Sequence, residues 1–360
     1  MVELLELPSR REEAWRWSRL DALPELARAR HGQAGNAAQH FIGLGGPRLV
    51  FVDGVLDEDA SELGRVSIGA LELATDHPLG RQATGAGWAL TLDRDQATDG
   101  IEIVHVASGG ANHLPARITL AEDAVASVVE TYVGEGWANR LTQIELARSA
   151  RLMRSVRMLQ GSGFVSIRDE ATVGEGASLV SVFLGAGGMD CRIDDAITCN
   201  GAAAYAELGG ALLTDGNQRQ ECAVSLRHDA VNGQSRQIWR AVAKDVSTAS
   251  LAARVEVARG AQKTDGEQSL RGLLLDRTAT INLKPELEIF ADDVKCAHGA
   301  TVGELDARAL FYLASRGIAP ARARGLLTRA FVADAIDRIG DEATRDAFSV
   351  DADAWLEKTL

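Results

Sequence analysis

The chain has 360 residues, a formal charge of −13, 46% hydrophobic and 25% charged residues, enough apolar side chains for a sizeable core and too many for wholesale disorder. The acidic balance argues against a sequence-independent grip on nucleic acid, which needs a basic surface, and no apolar run approaches the roughly 20 residues that span a bilayer. The expectation is a cytoplasmic protein with neither nucleic acid nor membrane as partner. Four cysteines, Cys191, Cys199, Cys222 and Cys296, are too sparse for a disulfide framework, and read as reduced thiols.

The opening "MVELLELPSRREEAWRW" places acids before its basic residues and lacks a signal-peptide core. Residues 9–31 predict an amphipathic helix with Trp15, Leu20, Leu23 and Leu26 inward and Pro24 as a break. Trp15 and Trp17 read as core or docking aromatics. "RLVFVDG" then predicts a strand closed by an Asp-Gly turn.

From Ile101 to Gly299 the pattern is one of short β-rich runs, such as "IEIVHVA", "GFVSIRD", "LVSVFL", "ARVEV" and "ELEIF", separated by turn-forming "GG", "GEGA", "DG" and "NG". A sandwich, a barrel and a solenoid all fit that rhythm. The number of strands and the small residues at the turns favour the solenoid, in which like corners stack. After Gly303 the period becomes helical. Leu305, Ala309 and Leu313 form one stripe ending at Gly317, and Pro320 opens a second helix with Leu327, Phe331 and Ala335 at helical spacing. Asp341 is placed to cap a last helix running to Trp355. The division expected is an N-terminal region over 1–100, a β-core over 101–302 and a helical module over 303–360.

Two glycine clusters, Gly43–Pro47 and Gly185–Gly188, follow apolar runs. Neither leads into a helix N-terminus or carries the Lys-Ser/Thr of a phosphate loop, so both read as turns. Cys191, Cys199, Cys222 and His228 lack zinc-site spacing and are expected as buried, inert groups. The stretch "IFADDVKCAHGATVGELD", Ile289 to Asp306, is different. If extended, it projects Cys296 and His298 to one face, with Asp292 and Asp293 forming the preceding turn. A thiol beside an imidazole suits iron or zinc, or a thiol activated by its neighbour. Two ligands cannot close a tetrahedral site, so a metal there needs donors from elsewhere.

The segment Gly260–Ile318 ("GAQKTDGEQSLRGLLLDRTATINLKPELEIFADDVKCAHGATVGELDARALFYLASRGI") closely resembles the C-terminal signature of the SufB/SufD family of iron–sulfur cluster assembly proteins. "LPSRREEAWRWSRLDAL" and "HGATVG" resemble the SufD side of that family. The resemblance implies a mainly β fold, a right-handed parallel β-helix core with helical N- and C-terminal regions. It further implies a non-enzymatic scaffold subunit that pairs with a SufB-like chain and docks a SufC-like ABC ATPase. An iron–sulfur cluster would be held transiently at the interface with the SufB-like partner by His298, with Cys296 as accessory thiol, and none would be resident on the isolated chain. Leu310, Phe311, Tyr312, Leu326, Leu327 and Phe331 are expected to contribute both to the ATPase contact and to the module's own core. Other readings are a SufB-type or homodimeric primary scaffold, self-pairing when isolated, and more remotely a carbohydrate-active β-helix enzyme. The last sits poorly with aromatics at 5% of the chain.

Overall fold

A computed structural model describes residues 7–359; the first six residues of the N-terminal reading lie outside them. The helix expected over 9–31 does not form. Only a 3-10 turn at Glu13–Trp15 and a single turn of helix α1, Leu23–Leu26, are present, and Pro24 sits in the first turn of α1 instead of breaking it, a position that needs no N–H. The segment is laid as a strap over the body. Trp15, Leu20 and Leu23 are buried with Leu79, Trp137 and Phe164. The Arg192 guanidinium lies 3.7 Å from the Trp15 ring centroid and donates to the Ala14 carbonyl at 2.9 Å. Those tertiary contacts outweigh local helix propensity.

The strands are β1 (Gly45–Val52), β2 (Val55–Leu56), β3 (Val66–Leu71), β4 (Gly85–Leu92), β5 (Gly100–Leu120), β6 (Val125–Leu146), β7 (Arg151–Met158), β8 (Phe164–Val173), β9 (Ser178–Gly185), β10 (Asp190–Cys199), β11 (Tyr205–Thr214), β12 (Arg219–His228), β13 (Gln234–Ala243), β14 (Thr248–Val257), β15 (Asp265–Leu274), β16 (Thr280–Ile289) and β17 (Lys295–Glu304). β1 and β2 form a hairpin through Asp53 and Gly54, both at positive φ, as the Asp-Gly signal predicts. The first glycine cluster leads into β1. Its backbone cups an internal carboxylate: Glu102 accepts from the N–H groups of Gly43 at 2.9 Å and Leu44 at 2.8 Å.

From β7 onward each strand pairs in parallel with the next but one. β7, β9, β11, β13, β15 and β17 make one wall, and β8, β10, β12, β14 and β16 the other. β5 and β6 run through both walls, bending at glycines. The result is a parallel β-solenoid of about eight coils, in which strands and corners recur in register because each coil repeats its backbone hydrogen bonds. One corner is crowded: a Cβ on Gly136 would lie 1.5 Å from the carbonyl oxygen of Gly109 below it, so only glycine fits. The opposite corner needs a residue with φ near 60°, supplied in successive coils by Asp123, Ser149, Gly176, Ala203, Asn232 and Lys263.

Between the walls lies a continuous apolar core, including Ile103, Leu152, Leu179, Leu208, Trp239 and Leu270. It also holds a buried ionic cluster. Arg154 bonds Glu130 at 2.8 Å and Asp169 at 2.5 Å, while His105 and Tyr132 donate to Glu130 at 2.9 and 3.0 Å. Asp195 pairs in register with Asp169, and both its carboxyl oxygens lack a hydrogen-bond partner. Burial and the Asp169 charge push Asp195 well above the usual carboxylate range.

Helices α2 (Ala307–Ser315), α3 (Pro320–Ile336) and α4 (Glu342–Thr359) follow β17. Asp306 caps α2 by accepting from Arg308 N–H at 2.9 Å, and Asp341 caps α4 through Thr344 N–H at 2.7 Å. Gly317 carries the positive φ that ends α2. α3 and α4 pack Val332, Ile336, Phe348 and Trp355 on the outer face of the first wall, against Val182, Leu213, Val242 and Leu273. Arg240 to Asp334 (3.0 Å), Arg338 to Glu207 (2.9 Å) and Arg157 to Asp351 (2.6 Å) pin the same contact.

Candidate functional site at the open end of the solenoid

The last coil places the Cys/His pair. Along β15, Gly266, Gln268, Leu270 and Gly272 are buried, whereas Glu267 and Arg271 face solvent. In-register pairing sets Gly266 beside Cys296 and Gln268 beside His298, so Cys296 and His298 share the inward face of β17. Cys296 packs against the interior core, and Gly266 leaves the room its Sγ occupies. No further coil covers this rung, so His298 is exposed where its counterparts in earlier coils are buried. β17 pairs with β15 alone and β16 with β14 alone. Both walls therefore end, among the described residues, in an unpaired parallel edge.

The corner before β17 carries Asp292 and Asp293, both exposed, and the Asp293 carbonyl accepts from Lys263 N–H. Neither carboxylate joins the pair: among the described residues no three His, Cys, Asp or Glu side chains converge on a point where a metal could sit. The chain supplies a partial donor set. Burial pushes the Cys296 thiol up, the Gly266 N–H pulling against it and the Asp265 charge adding to it. The alternative of a thiol acidified by its neighbour is thereby disfavoured. Cys191, Cys199 and Cys222 are buried and free. Burial raises each thiol, Cys199 to about 12, as inert core positions require.

The second candidate surface is the C-terminal module, and here the structure divides six residues that sequence could not. Phe331, half-buried, packs against the outer wall beneath the Arg240 guanidinium, 6.0 Å from its ring centroid. Leu310 and Leu327 are also half-buried. Phe311 (77% exposed), Tyr312 (57%) and Leu326 (39%) face solvent, and α2 has no buried residue at all. These three are exposed large apolar side chains of α2 and α3.

Sequence reasoning missed Gln237 and Gln268, which lie in register on the rungs leading to His298. An inward glutamine looks like a surface residue until its neighbours in other coils are known.

The family model for the SufBD core domain of the SUF system for FeS cluster assembly matches residues 104–331, a span containing most of the solenoid, Cys296, His298 and most of α3. The chain belongs to the SufBD family. It is 28% identical to the iron–sulfur cluster assembly protein SufD of Escherichia coli, across 94% of this chain and 87% of that one. A SufBD family protein of Synechocystis is 40% identical over 116 residues, 32% of this chain and 25% of its own. The chloroplastic protein ABCI7 of Arabidopsis thaliana is 30% identical, across 64% of this chain and 50% of its own. Among the described residues no helix is long and apolar enough to cross a membrane.

Proposed function

We propose that this SufBD chain is a SufD-type scaffold subunit, itself non-enzymatic, on which an iron–sulfur cluster is assembled as cargo together with a SufB-like partner. The observation that carries the reading is the unfinished last coil. It presents Cys296 and His298 on the inward face of a strand whose outer edge has no partner. An exposed strand edge pairs readily with another chain, and a second chain pairing there would add the ligands that this one lacks. His298 serves as the transient iron or cluster ligand and Cys296, being half-buried and held as a thiol, as the accessory group. Phe311, Tyr312 and Leu326 form the docking surface for a SufC-like ABC ATPase, while Leu310, Leu327 and Phe331 brace it from beneath.

The test is anaerobic purification of the tagged chain from its own cells, followed by identification of the bound proteins and analysis of iron and sulfide. Recovery with a SufB-like and a SufC-like chain, and loss of cluster from that complex on His298→Ala, is the expected result. Recovery of the chain only as a self-pair that loads persulfide and builds a cluster unaided would replace this reading with that of a homodimeric primary scaffold. An unchanged cluster content in the His298→Ala complex would remove the ligand role.

A further inference from the structure

We infer that Gln268 is a positioning residue for His298, its Oε1 accepting a hydrogen bond from the imidazole N–H and so fixing which nitrogen is left free to bind iron. The inference rests on the proposed role of His298, and it is drawn from the interior of the two final coils.

Gln237, Gln268 and His298 occupy one inward ladder on β13, β15 and β17. Adjacent rungs of a sheet are about 4.8 Å apart, within reach of long side chains. The Gln268 amide is oriented by its neighbours. Its Nε2 donates to Gln237 Oε1 at 3.1 Å, on the coil behind, and to the Ala253 carbonyl at 2.8 Å, on the facing wall. Both amide hydrogens are committed, so the group has only acceptor capacity left. Its Oε1 is buried and has no hydrogen-bond partner, in a residue only 1% exposed. With both Nε2 hydrogens committed, Oε1 is the free acceptor of the group, and His298 is the residue beside it in register on the adjoining strand. A buried carbonyl left without a donor carries a desolvation penalty. The histidine ring is the donor next in register.

The chemical consequence is directional. An imidazole whose N–H is held by a fixed carbonyl presents its other nitrogen, unprotonated, away from that carbonyl. Gln268 thus turns the free nitrogen of His298 toward the open edge, where the second chain is proposed to bring its ligands.

The test uses the full chain labelled with 15N-histidine, the His298 signals being assigned by their loss in His298→Ala. One ring tautomer should dominate at pH 8, a mixture should appear in Gln268→Leu, and the single tautomer should return in Gln268→Glu, which keeps an acceptor oxygen. Gln268→Met serves if the leucine variant does not fold. An unchanged tautomer ratio in a folded Gln268→Leu or Gln268→Met chain overturns the inference. In the purified complex, loss of the acceptor should lower iron occupancy by on the order of ten-fold, the scale seen for groups that orient a histidine ligand. Loss of iron without any change of tautomer would assign Gln268 a packing role and also overturn the inference. If the tautomer shifts as expected while His298→Ala leaves iron untouched, the positioning contact stands and the ligand reading fails.

Discussion

The coils around Arg154 and the last coil of the solenoid both put polar side chains on the inward face, with opposite results. Around Arg154 the cluster is closed. Glu130 and Asp169 are paired, His105 and Tyr132 donate to Glu130, and further coils seal both ends. Around His298 the cluster is open, with one buried acceptor unfilled and a strand edge unpaired. Buried polar groups must be satisfied or they cost stability. The first cluster pairs its charges within the chain and leaves the Asp195 carboxyl and one Asp169 oxygen without partners behind further coils, whereas the second leaves its acceptor at an edge that another molecule can reach. A site is thus distinguishable from a structural network by where its missing partners would have to come from.

The sharpest way to break the comparison is to open the closed cluster. Arg154→Met strands Glu130 and Asp169 as buried charges, and loss of one partner from such a network costs roughly 3–5 kcal/mol. Urea denaturation should show that loss; a variant within about 1 kcal/mol of the parent would mean the cluster is hydrated. A smaller loss is expected beneath the C-terminal module. Phe331→Ala empties a half-buried contact on the wall, worth roughly 1–3 kcal/mol. Phe311→Ala, at an exposed position, should leave the melting temperature alone and weaken ATPase retention. Equal thermal effects from the two would erase the division between bracing and docking residues.

The raised carboxyls of Asp169 and Asp195 give the closed cluster a pH signature. Asp169, whose pKa is raised to about 6 by burial against the pull of Arg154, binds protons more tightly folded than unfolded. Its contribution to stability is complete below its unfolded pKa near 4 and is lost as pH rises toward 6. His105 works in the opposite sense. Burial lowers it to about 4, so its contribution is present near neutrality and fades as pH falls from about 6.5 to 4. Asp195→Asn removes the neighbour that competes with Asp169 for one proton. It should stabilise the protein by about 1 kcal/mol at pH 8 and less at pH 5. Denaturation midpoints that fall equally at both pH values would show Asp195 to be an ordinary ionised partner.

How much of this was legible in sequence depends on what repeats. The β-rich rhythm, the Asp-Gly hairpin, Gly317, and the caps Asp306 and Asp341 follow local rules. Of these, all but the Asp306 cap were read directly. The coil repeat was hidden because the corner at φ near 60° is met by Asp123, Ser149, Ala203, Asn232 and Lys263 alike: backbone hydrogen bonds define it, so side chains are free to vary. The N-terminal strap was misread as a helix because its apolar spacing suited one, while the Arg192 contact that holds it comes from 178 residues away. Cys296 and His298 could be put on one face from strand period alone. That His298 ends an interior ladder through Gln237 and Gln268 required the register of three coils, which no local pattern carries.

A small effect on stability is expected at His298 itself. Among the described residues the imidazole is exposed, has no hydrogen-bond partner and packs against no core cluster. Its removal exposes no cavity and costs at most the one hydrogen bond proposed to Gln268, so His298→Ala should change the unfolding free energy by no more than about 1 kcal/mol. A residue that stability does not need is free to serve the ligand role proposed for it. Calorimetry of the isolated chain, set beside iron analysis of the complex, measures the two roles separately. A melting temperature lowered by several degrees would make His298 part of the fold, and the open coil would then be merely the ragged end of a solenoid.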